Sequence, residues 1–169
     1  YSTEEESIRN ARSTDASAYT SLEVMLARIV TASGGVRLSH VTSRSEGGTF
    51  GSQSTSDNAV AGFGSVTVDP WKDLSLVGQV ARGFRQPTLS DRYFQGITAR
   101  GVITGNPNLE PESSLQFDFA ARYTKRRVHL GAYAYSYRID DLIERYEEGD
   151  REFFFRNQGQ ARLHGFELE

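Results

Sequence analysis

A series of extended segments, each about ten residues long and alternating between apolar and polar side chains, constrains this chain more than any other feature. The clearest segment spans residues 115–123, and one of its faces carries Leu115, Phe117, Phe119, Ala121 and Tyr123. Alternation with a period of two residues predicts a β-strand that has one apolar face. Strands of about 9–11 residues also match the tilted path of a β-strand through the hydrocarbon core of a membrane.

The connections between these segments alternate in length. Short connections lie near residues 27–31, 69–73 and 125–127, whereas long polar connections cover residues 45–57, 86–112 and 140–159. Barrels of the outer membrane have short periplasmic turns and long extracellular loops, and a soluble sandwich has no reason to sort its loops in this way. The sequence therefore predicts an all-β fold, an antiparallel transmembrane β-barrel fragment with about seven long strands.

Three local expectations complete this fold. Residues 1–16 are polar and patternless, which predicts a loop, and residues 86–112 show no clear strand. Tyr146 and residues 153–155 flank a polar stretch, which predicts an extracellular hairpin beyond the main sheet. Because about seven strands would leave unpaired edges in lipid, we expect the native protein to be longer than this chain.

Composition excludes several classes of function. The chain has no cysteine, which removes disulfides, thiolate metal sites and cysteine nucleophiles. Its formal net charge is -3 and it has no basic block, so we expect no nucleic-acid partner. No stretch of about 18 apolar residues could form a transmembrane helix. The sequence has no nucleophile elbow, no closely spaced histidine pair and no phosphate-binding loop, so we expect neither an enzyme, a metal site nor a cofactor.

The most specific pattern lies between residues 83 and 112, and two further pieces follow downstream. Its members are Gly83, Phe84, Arg85 and Pro87, then Gly105, Asn106, Pro107, Leu109, Pro111 and Glu112, and finally Asn157, Gly165 and Glu167. In this order and spacing they resemble the TonB-dependent receptor family, whose barrels carry a Gly-Phe-Arg-x-Pro segment followed by Gly-Asn-Pro-x-Leu-x-Pro-Glu. The resemblance is strong over residues 74–169 and weaker over residues 17–68.

The resemblance implies that residues 1–169 are part of a receptor barrel of about 22 strands in the bacterial outer membrane. It implies active uptake of a scarce nutrient, with a ferric siderophore or a similar iron- or cobalamin-type small molecule as the leading ligand. The implied partners are outer-membrane lipid and the inner-membrane TonB complex, which acts through an N-terminal region that this sequence does not contain. The plug domain and the final strands are also expected to be missing. The alternative function is a structural or adhesive outer-membrane or extracellular β-domain without transport.

We interpret the family motif as structural. Pro87 and Pro107 fix φ and end strand pairing where the chain leaves the barrel wall. Gly105 is expected to supply an unusual backbone dihedral angle, and Pro111-Glu112 begins the next strand. On this interpretation the motif residues hold a loop in place and do not touch a ligand.

Other residues of the same loop are candidates for ligand binding, namely Arg92, Tyr93, Phe94, Gln95 and Arg100. Aromatic faces and cationic hydrogen-bond donors together suit an anionic or catecholate-like ligand. The alternative is an ordinary solvated loop whose aromatic side chains pack on their neighbours.

Two further patterns each leave two interpretations open. Tyr133, Tyr135 and Tyr137 share one face of a strand, and an aromatic girdle at the membrane interface explains them better than a sugar-stacking platform. The opposite face, with Leu130, Ala132 and Ala134, competes for the lipid side. An acidic stretch consists of Asp140, Asp141, Glu144, Glu147, Glu148 and Asp150. We interpret that stretch as a solvated loop, with a calcium site as the alternative.

Overall fold

The computed structural model describes Ile8 and residues 10–169. Its elements, in chain order, are β1 (Arg12–Ala27), β2 (Val30–Ser45), β3 (Gln53–Trp71), β4 (Leu74–Arg85), α1 (Leu89–Tyr93), β5 (Gln95–Thr98), β6 (Gly101–Thr104), β7 (Glu112–Lys125), β8 (Val128–Asp140), β9 (Ile143–Glu147), β10 (Glu152–Asn157) and β11 (Gln160–Leu168). Seven strands form one large sheet and four form a small one. Among the described residues, no helix is long and apolar enough to cross a membrane.

The large sheet is antiparallel throughout and has the strand order β1-β2-β3-β4-β7-β8-β11. This confirms the prediction of about seven long strands. At one end of the sheet, turns at residues 28–29, 72–73 and 126–127 connect neighbouring strands. At the opposite end, which we call the long-loop end, the chain leaves the sheet in longer excursions. The predicted sorting of short and long connections is therefore confirmed.

Strands β1, β2 and β3 extend further towards the long-loop end than the sequence predicts. β1 starts at Arg12, which pairs with Arg44, so the loop predicted over residues 1–16 is wrong for residues 12–16. The rest of that prediction falls largely on residues 1–7 and 9, which lie outside the described residues. The loop predicted over residues 45–57 shrinks to 46–52, because Ser45 still pairs with Gln53. These strand ends are polar on both faces, so their backbones pair without an apolar alternation to signal it.

The turn predicted over residues 69–73 is also shorter in the structure. β3 continues through Trp71, with a register irregularity between Val68 and Trp71, and only residues 72–73 form the turn. Pro70 lies in this irregular stretch. Proline has no N–H to donate to a ladder, so an irregularity at the end of a strand is a place where it is tolerated.

The strand register divides the large sheet into an apolar face and a polar face. One row across the sheet joins Val66, Gly78, Phe119, Ala134 and Phe166. The neighbouring row, on the opposite face, joins Ser65, Gln79, Asp118, Tyr135 and Gly165. In a membrane barrel the apolar face meets lipid and the polar face lines the interior. Phe119 and Phe166, which are 51% and 80% exposed, therefore lie on the lipid side.

The tyrosines of β8 lie on the polar face. Tyr133, Tyr135 and Tyr137 are opposite Ala120, Asp118 and Gln116 of β7. Tyr135 fits there because its other neighbour is Gly165, where an added Cβ would lie 2.8 Å from the tyrosine ring. The girdle interpretation is therefore wrong for these tyrosines, and the face with Leu130, Ala132 and Ala134 meets lipid. Alternation in the sequence separates two faces, but only the pairing with other strands shows which one is apolar across the whole sheet.

The small sheet has the strand order β5-β6-β10-β9 and combines two separate excursions of the chain. The hairpin predicted around Tyr146 and residues 153–155 is confirmed, since β9 and β10 are antiparallel and Tyr146 is opposite Phe154. The expectation that residues 86–112 hold no strand is wrong, because β5 and β6 form a hairpin there. Strands of four residues are too short to show a period, and β6 gains its second partner, β10, from about 50 residues away.

We call α1, β5, β6, β9, β10 and their connections the cap. The cap lies over the polar face of β2 and β3 at the long-loop end. Ser39, Val41, Ser43 and Ser45 alternate along β2 on this face, and all four are buried. The polar face is therefore enclosed at the end where the long loops emerge.

Candidate functional site

A short helix orients the side chains that attach the cap to the barrel wall. α1 begins with a capping box, in which Thr88 Oγ1 accepts a hydrogen bond of 3.1 Å from the Asp91 N–H. In return, Asp91 Oδ2 accepts a hydrogen bond of 2.9 Å from the Thr88 N–H. The box satisfies free N–H groups at the start of the helix. It thereby fixes the direction in which Arg92 and Tyr93 leave the last turn.

Arg92 is the largest fully buried side chain of the described residues. Its Nη2 donates to Asp57 Oδ2 at 2.8 Å and to the carbonyl oxygen of Leu109 at 2.8 Å. Asp57 belongs to β3, so one guanidinium joins the helix, the barrel wall and the return of the loop. Arg92 Nε and Nη1 are buried without a hydrogen-bond partner among the described residues. This buried ion pair is therefore costly to assemble, but removing either partner would leave an unpaired buried charge.

Gly105 lies against the backbone of Arg92. An added Cβ would be 2.7 Å from both the carbonyl carbon and the carbonyl oxygen of Arg92, and neither atom can move aside like a side chain. The Gly105 N–H donates to the Phe94 carbonyl at 2.7 Å, which holds the two segments together. Gly105 is not among the glycines with positive φ. The expectation of an unusual dihedral angle is thus wrong, and the requirement here is for a residue without a side chain.

Two asparagines of the motif connect the two excursions that form the cap. Asn106 Nδ2 donates to the Phe155 carbonyl at 3.0 Å, and its Oδ1 accepts the Asn108 N–H at 3.0 Å. Asn157 Nδ2 donates to the carbonyls of Glu110 and Asp141, at 2.9 and 2.8 Å. Its Oδ1 accepts the Glu110 N–H at 2.8 Å. Both amides thus bind backbone groups of the other excursion of the chain.

Glu112 secures the point where the chain returns to the large sheet. Its carboxylate accepts hydrogen bonds from Arg85 Nε at 2.8 Å and Nη2 at 2.6 Å, and from the Ile143 N–H at 2.6 Å. The side chains of Arg85 and Glu112 lie beyond the membrane-spanning part, at the ends of β4 and β7. Burial raises the pKa of Glu112, but the hydrogen bonds from Arg85 and Ile143 and the Arg85 charge outweigh it and hold the pKa below its ordinary value. Glu112 is thus a charged anchor at neutral pH.

The remaining motif residues occupy packed positions around these contacts. Pro87 and Leu109 are buried, whereas Phe84, Pro107 and Pro111 are partly buried. Gly83 faces Ser114, where an added Cβ would be 2.9 Å from the serine hydroxyl oxygen. Gly165 and Glu167 lie on β11 in the large sheet, outside the cap, and Glu167 is exposed.

The five predicted ligand-binding residues are placed in three different environments. Arg92 and Tyr93 are buried, and the Tyr93 side chain reaches β3, with its hydroxyl oxygen 3.4 Å from Thr55 Oγ1. Phe94 and Gln95 are partly buried, and Arg100 is exposed in the turn between β5 and β6. In this conformation only Arg100 presents its full charge to solvent. The ligand-binding role of these residues stays a prediction.

The structure adds two cation–aromatic pairs in the cap that the sequence did not indicate. The guanidinium carbon of Arg145 lies 5.2 Å from the ring centroid of Phe153. That of Arg156 lies 4.3 Å from the centroid of Tyr146. All four residues belong to β9 and β10. The signal in the sequence is the interleaving of arginine with aromatic residues over positions 145–156, which the acidic residues of the same stretch obscured.

Two residues of the acidic stretch have basic partners. Asp140 accepts a hydrogen bond of 2.9 Å from Arg138, and Glu144 accepts one of 2.9 Å from Arg156. Within the described part of the chain, no group of three or more histidine, aspartate or glutamate side chains could hold a metal ion. The geometry therefore gives no support to the calcium alternative.

Comparison with known proteins agrees with this geometry. The chain matches the family model "TonB dependent receptor-like, beta-barrel" over residues 2–169. It is 27% identical over 103 residues to the vitamin B12 transporter BtuB of Vibrio vulnificus (strain YJ016), an alignment that covers 60% of this chain and 16% of BtuB. Of solved structures, the copper transporter OprC superposes with a TM-score of 0.77 and 20% identity, over 94% of this chain and 26% of OprC. The FrpB iron transporter of Neisseria meningitidis (F3-3 variant) gives a TM-score of 0.75 and 19% identity, over 95% of this chain and 24% of FrpB.

This chain spans 16% of BtuB and 26% and 24% of the two solved chains, so it corresponds to a part of such proteins. The two solved chains share the fold of this chain over nearly its whole length. The chain belongs to the TonB-dependent receptor-like β-barrel family, whose members are proteins of the bacterial outer membrane.

Proposed function

We propose that this chain is part of the barrel of an outer-membrane receptor that imports a scarce nutrient, with its ligand captured at the cap. The observation that carries the proposal is the cap itself. Two excursions of the chain combine into one sheet, and a buried ion pair between Arg92 and Asp57 fixes that sheet over the polar face of the wall. A barrel that served only as an anchor would not need an ordered structure over its extracellular mouth.

Exposed arginines and aromatic rings of the cap suit an anionic ligand with flat conjugated groups. Arg145 and Arg156 lie over aromatic rings on opposite faces of the β9–β10 hairpin, and Arg100 is exposed in the turn between β5 and β6. Guanidinium groups bind carboxylate and catecholate oxygens in pairs, while aromatic faces stack on planar ligands. A ferric siderophore is the leading candidate. Haem, a planar ring with two carboxylates, has the same chemistry, whereas a cobalamin-type ligand shares only the flat conjugated ring. On this proposal the TonB complex of the inner membrane supplies the energy through another part of the receptor.

A binding screen of the full receptor tests this function. We expect one of a set of ferric catecholate, ferric hydroxamate, haem and cobalamin ligands to bind. The combined Arg100→Ala, Arg145→Ala and Arg156→Ala variant should bind it at least about tenfold more weakly, since even one lost hydrogen bond to a charged group costs about 1.5–3 kcal/mol.

The control is Arg127→Ala, which removes one positive charge at the opposite end of the barrel. Its affinity should equal that of the wild type. If no metal chelate binds, a structural or adhesive role replaces import. If the triple variant binds as tightly as the control, the receptor function survives but these arginines do not contact the ligand.

A further inference from the structure

Arginines interrupt the apolar outer face of the large sheet along a single row. In the register, Arg82 of β4 is opposite Leu115, Leu115 is opposite Arg138 of β8, and Arg138 is opposite Arg162 of β11. We call Arg82, Arg138 and Arg162 the arginine row. Residues opposite one another in a sheet share a face, and Leu115 belongs to the face that meets lipid. The side chains of the arginine row are therefore on the outside of the barrel, and all three residues are exposed.

The arginine row lies where the lipid-facing surface ends towards the outside of the cell. Arg82 is the ninth residue of β4, and Arg138 is the eleventh residue of β8, counted from the short turns. A transmembrane strand needs about 9–11 residues to cross the hydrocarbon core. Directly below the row, the same face carries Val80, Phe117 and then Phe119. Long arginine side chains at this depth can rest on apolar neighbours while the charge reaches the headgroup layer.

The local charge on this outer surface is positive. Arg138 is paired with Asp140 at 2.9 Å, and Arg162 Nη2 donates to Gln160 Oε1 at 3.4 Å. Arg82 has no hydrogen bond or ion pair with any described residue. On the outer face of β4, β7, β8 and β11 in the described structure, Asp140 is the one acidic residue, and His164 lies one position below the row. The three guanidinium groups therefore have N–H donors left over after their hydrogen bonds to Asp140 and Gln160.

We propose that the arginine row binds the phosphate groups of a phosphorylated glycolipid in the outer leaflet, with the acyl chains of that lipid along the phenylalanines below. Guanidinium groups bind phosphate through paired hydrogen bonds. Adjacent strands are about 4.8 Å apart, so Arg138 and Arg162 can contact one phosphate together. Arg82, two strands from Arg138, is about 10 Å away and within reach of a second phosphate of the same headgroup. This site lies on the opposite side of the wall from the proposed ligand site and is independent of the transported ligand.

The test compares the full wild-type receptor with the combined Arg82→Gln, Arg138→Gln and Arg162→Gln variant. Both are purified in detergent, freed of lipid and titrated with diphosphoryl lipid A, and bound lipid is counted by native mass spectrometry. Each arginine near an anionic lipid surface contributes a factor of about five in affinity, so we expect a loss of at least about 25-fold in the triple variant. Arg122→Gln, which removes a charge from the polar face of β7, should bind lipid A like the wild type.

Two further probes separate the sources of phosphate. Dephosphorylated lipid A should bind weakly to wild type and triple variant alike, and inorganic phosphate at equal concentration should not displace diphosphoryl lipid A. Equal binding of both forms of lipid A to the wild type would overturn the proposal, as would displacement by inorganic phosphate. If the triple variant fails to fold, the single variant Arg82→Gln tests the proposal, because Arg82 has no hydrogen bond or ion pair with any described residue that the substitution would break. Unchanged lipid A binding by that variant would also contradict the proposal.

Discussion

Replacing Arg92 with alanine is expected to release the cap from the barrel wall while the seven-stranded sheet stays folded. The substitution leaves the Asp57 carboxylate without its cation and the Leu109 carbonyl without its donor, in a place that water does not reach freely. Breaking a buried ion pair by removing one partner costs about 3–5 kcal/mol. Because the cap makes few other attachments to β3, the loss falls on the local stability of the cap.

Hydrogen exchange of the full receptor in detergent measures this effect. The amides of β5, β6, β9 and β10 should exchange at least about 100-fold faster in Arg92→Ala, while those of β7 and β8 should be unchanged. Arg100→Ala is the matched control, since Arg100 is exposed and should leave the cap as protected as in the wild type. Arg92→Met should be less damaging than alanine, because its longer apolar side chain avoids the cavity, although Asp57 is unpaired in both variants. Protection of the cap that survives Arg92→Ala would show that the ion pair does not hold it.

The second large effect is expected from Gly105→Ala. A single methyl group at this position would meet the backbone of Arg92 at 2.7 Å, so the turn after β6 has to move away from α1. Overpacking of this kind costs about 1–3 kcal/mol, and the displacement would also disturb the hydrogen bond from the Asn106 N–H to the Asp91 carbonyl. We expect faster proteolysis within residues 86–112 of the folded receptor.

Gly64→Ala provides the control for this prediction. A Cβ on Gly64 would meet no atom within 4 Å, and Gly64 does not have a positive φ. The receptor that carries Gly64→Ala should be as resistant to protease as the wild type. Equal resistance of Gly105→Ala and Gly64→Ala would mean that the approach of the two backbones can relax without cost, and the reason for a glycine at residue 105 would have to be sought elsewhere.

The wall of the barrel could be predicted from the sequence because membrane strands impose a simple rule. Each must be about ten residues long and apolar on one side, and the stretch from Leu115 to Tyr123 shows both properties without any partner in view. Which face of β8 meets lipid could not be predicted in the same way. Its two faces, with tyrosines on one and with leucine and alanines on the other, are both compatible with lipid, and only the register with Phe117 and Phe119 decides between them.

The cap was beyond prediction from a single sequence for a different reason. Its strands are short, and its contacts join residues that are far apart, such as Arg92 with Asp57 and Asn157 with Glu110. The type of residue at position 92 indicates a phosphate, carboxylate or aromatic partner equally well. In the structure that partner is a carboxylate of the protein itself, which accounts for the burial of a residue predicted to face a ligand. Arg145 and Arg156 became candidates only when pairing placed them over aromatic rings.

The placement of β7 in the membrane can be measured directly with single cysteines at residues 115–120. The chain has no native cysteine, so each label in it would be unique once any cysteine elsewhere in the receptor is removed. With spin labels in bilayers, positions 115, 117 and 119 should be relaxed mainly by oxygen dissolved in lipid, and positions 116, 118 and 120 mainly by a water-soluble nickel complex. An accessibility that alternates with a period of two residues in this phase is the expected result. Equal access of the nickel complex to all six positions, or alternation in the opposite phase, would contradict a barrel wall with this apolar face in lipid.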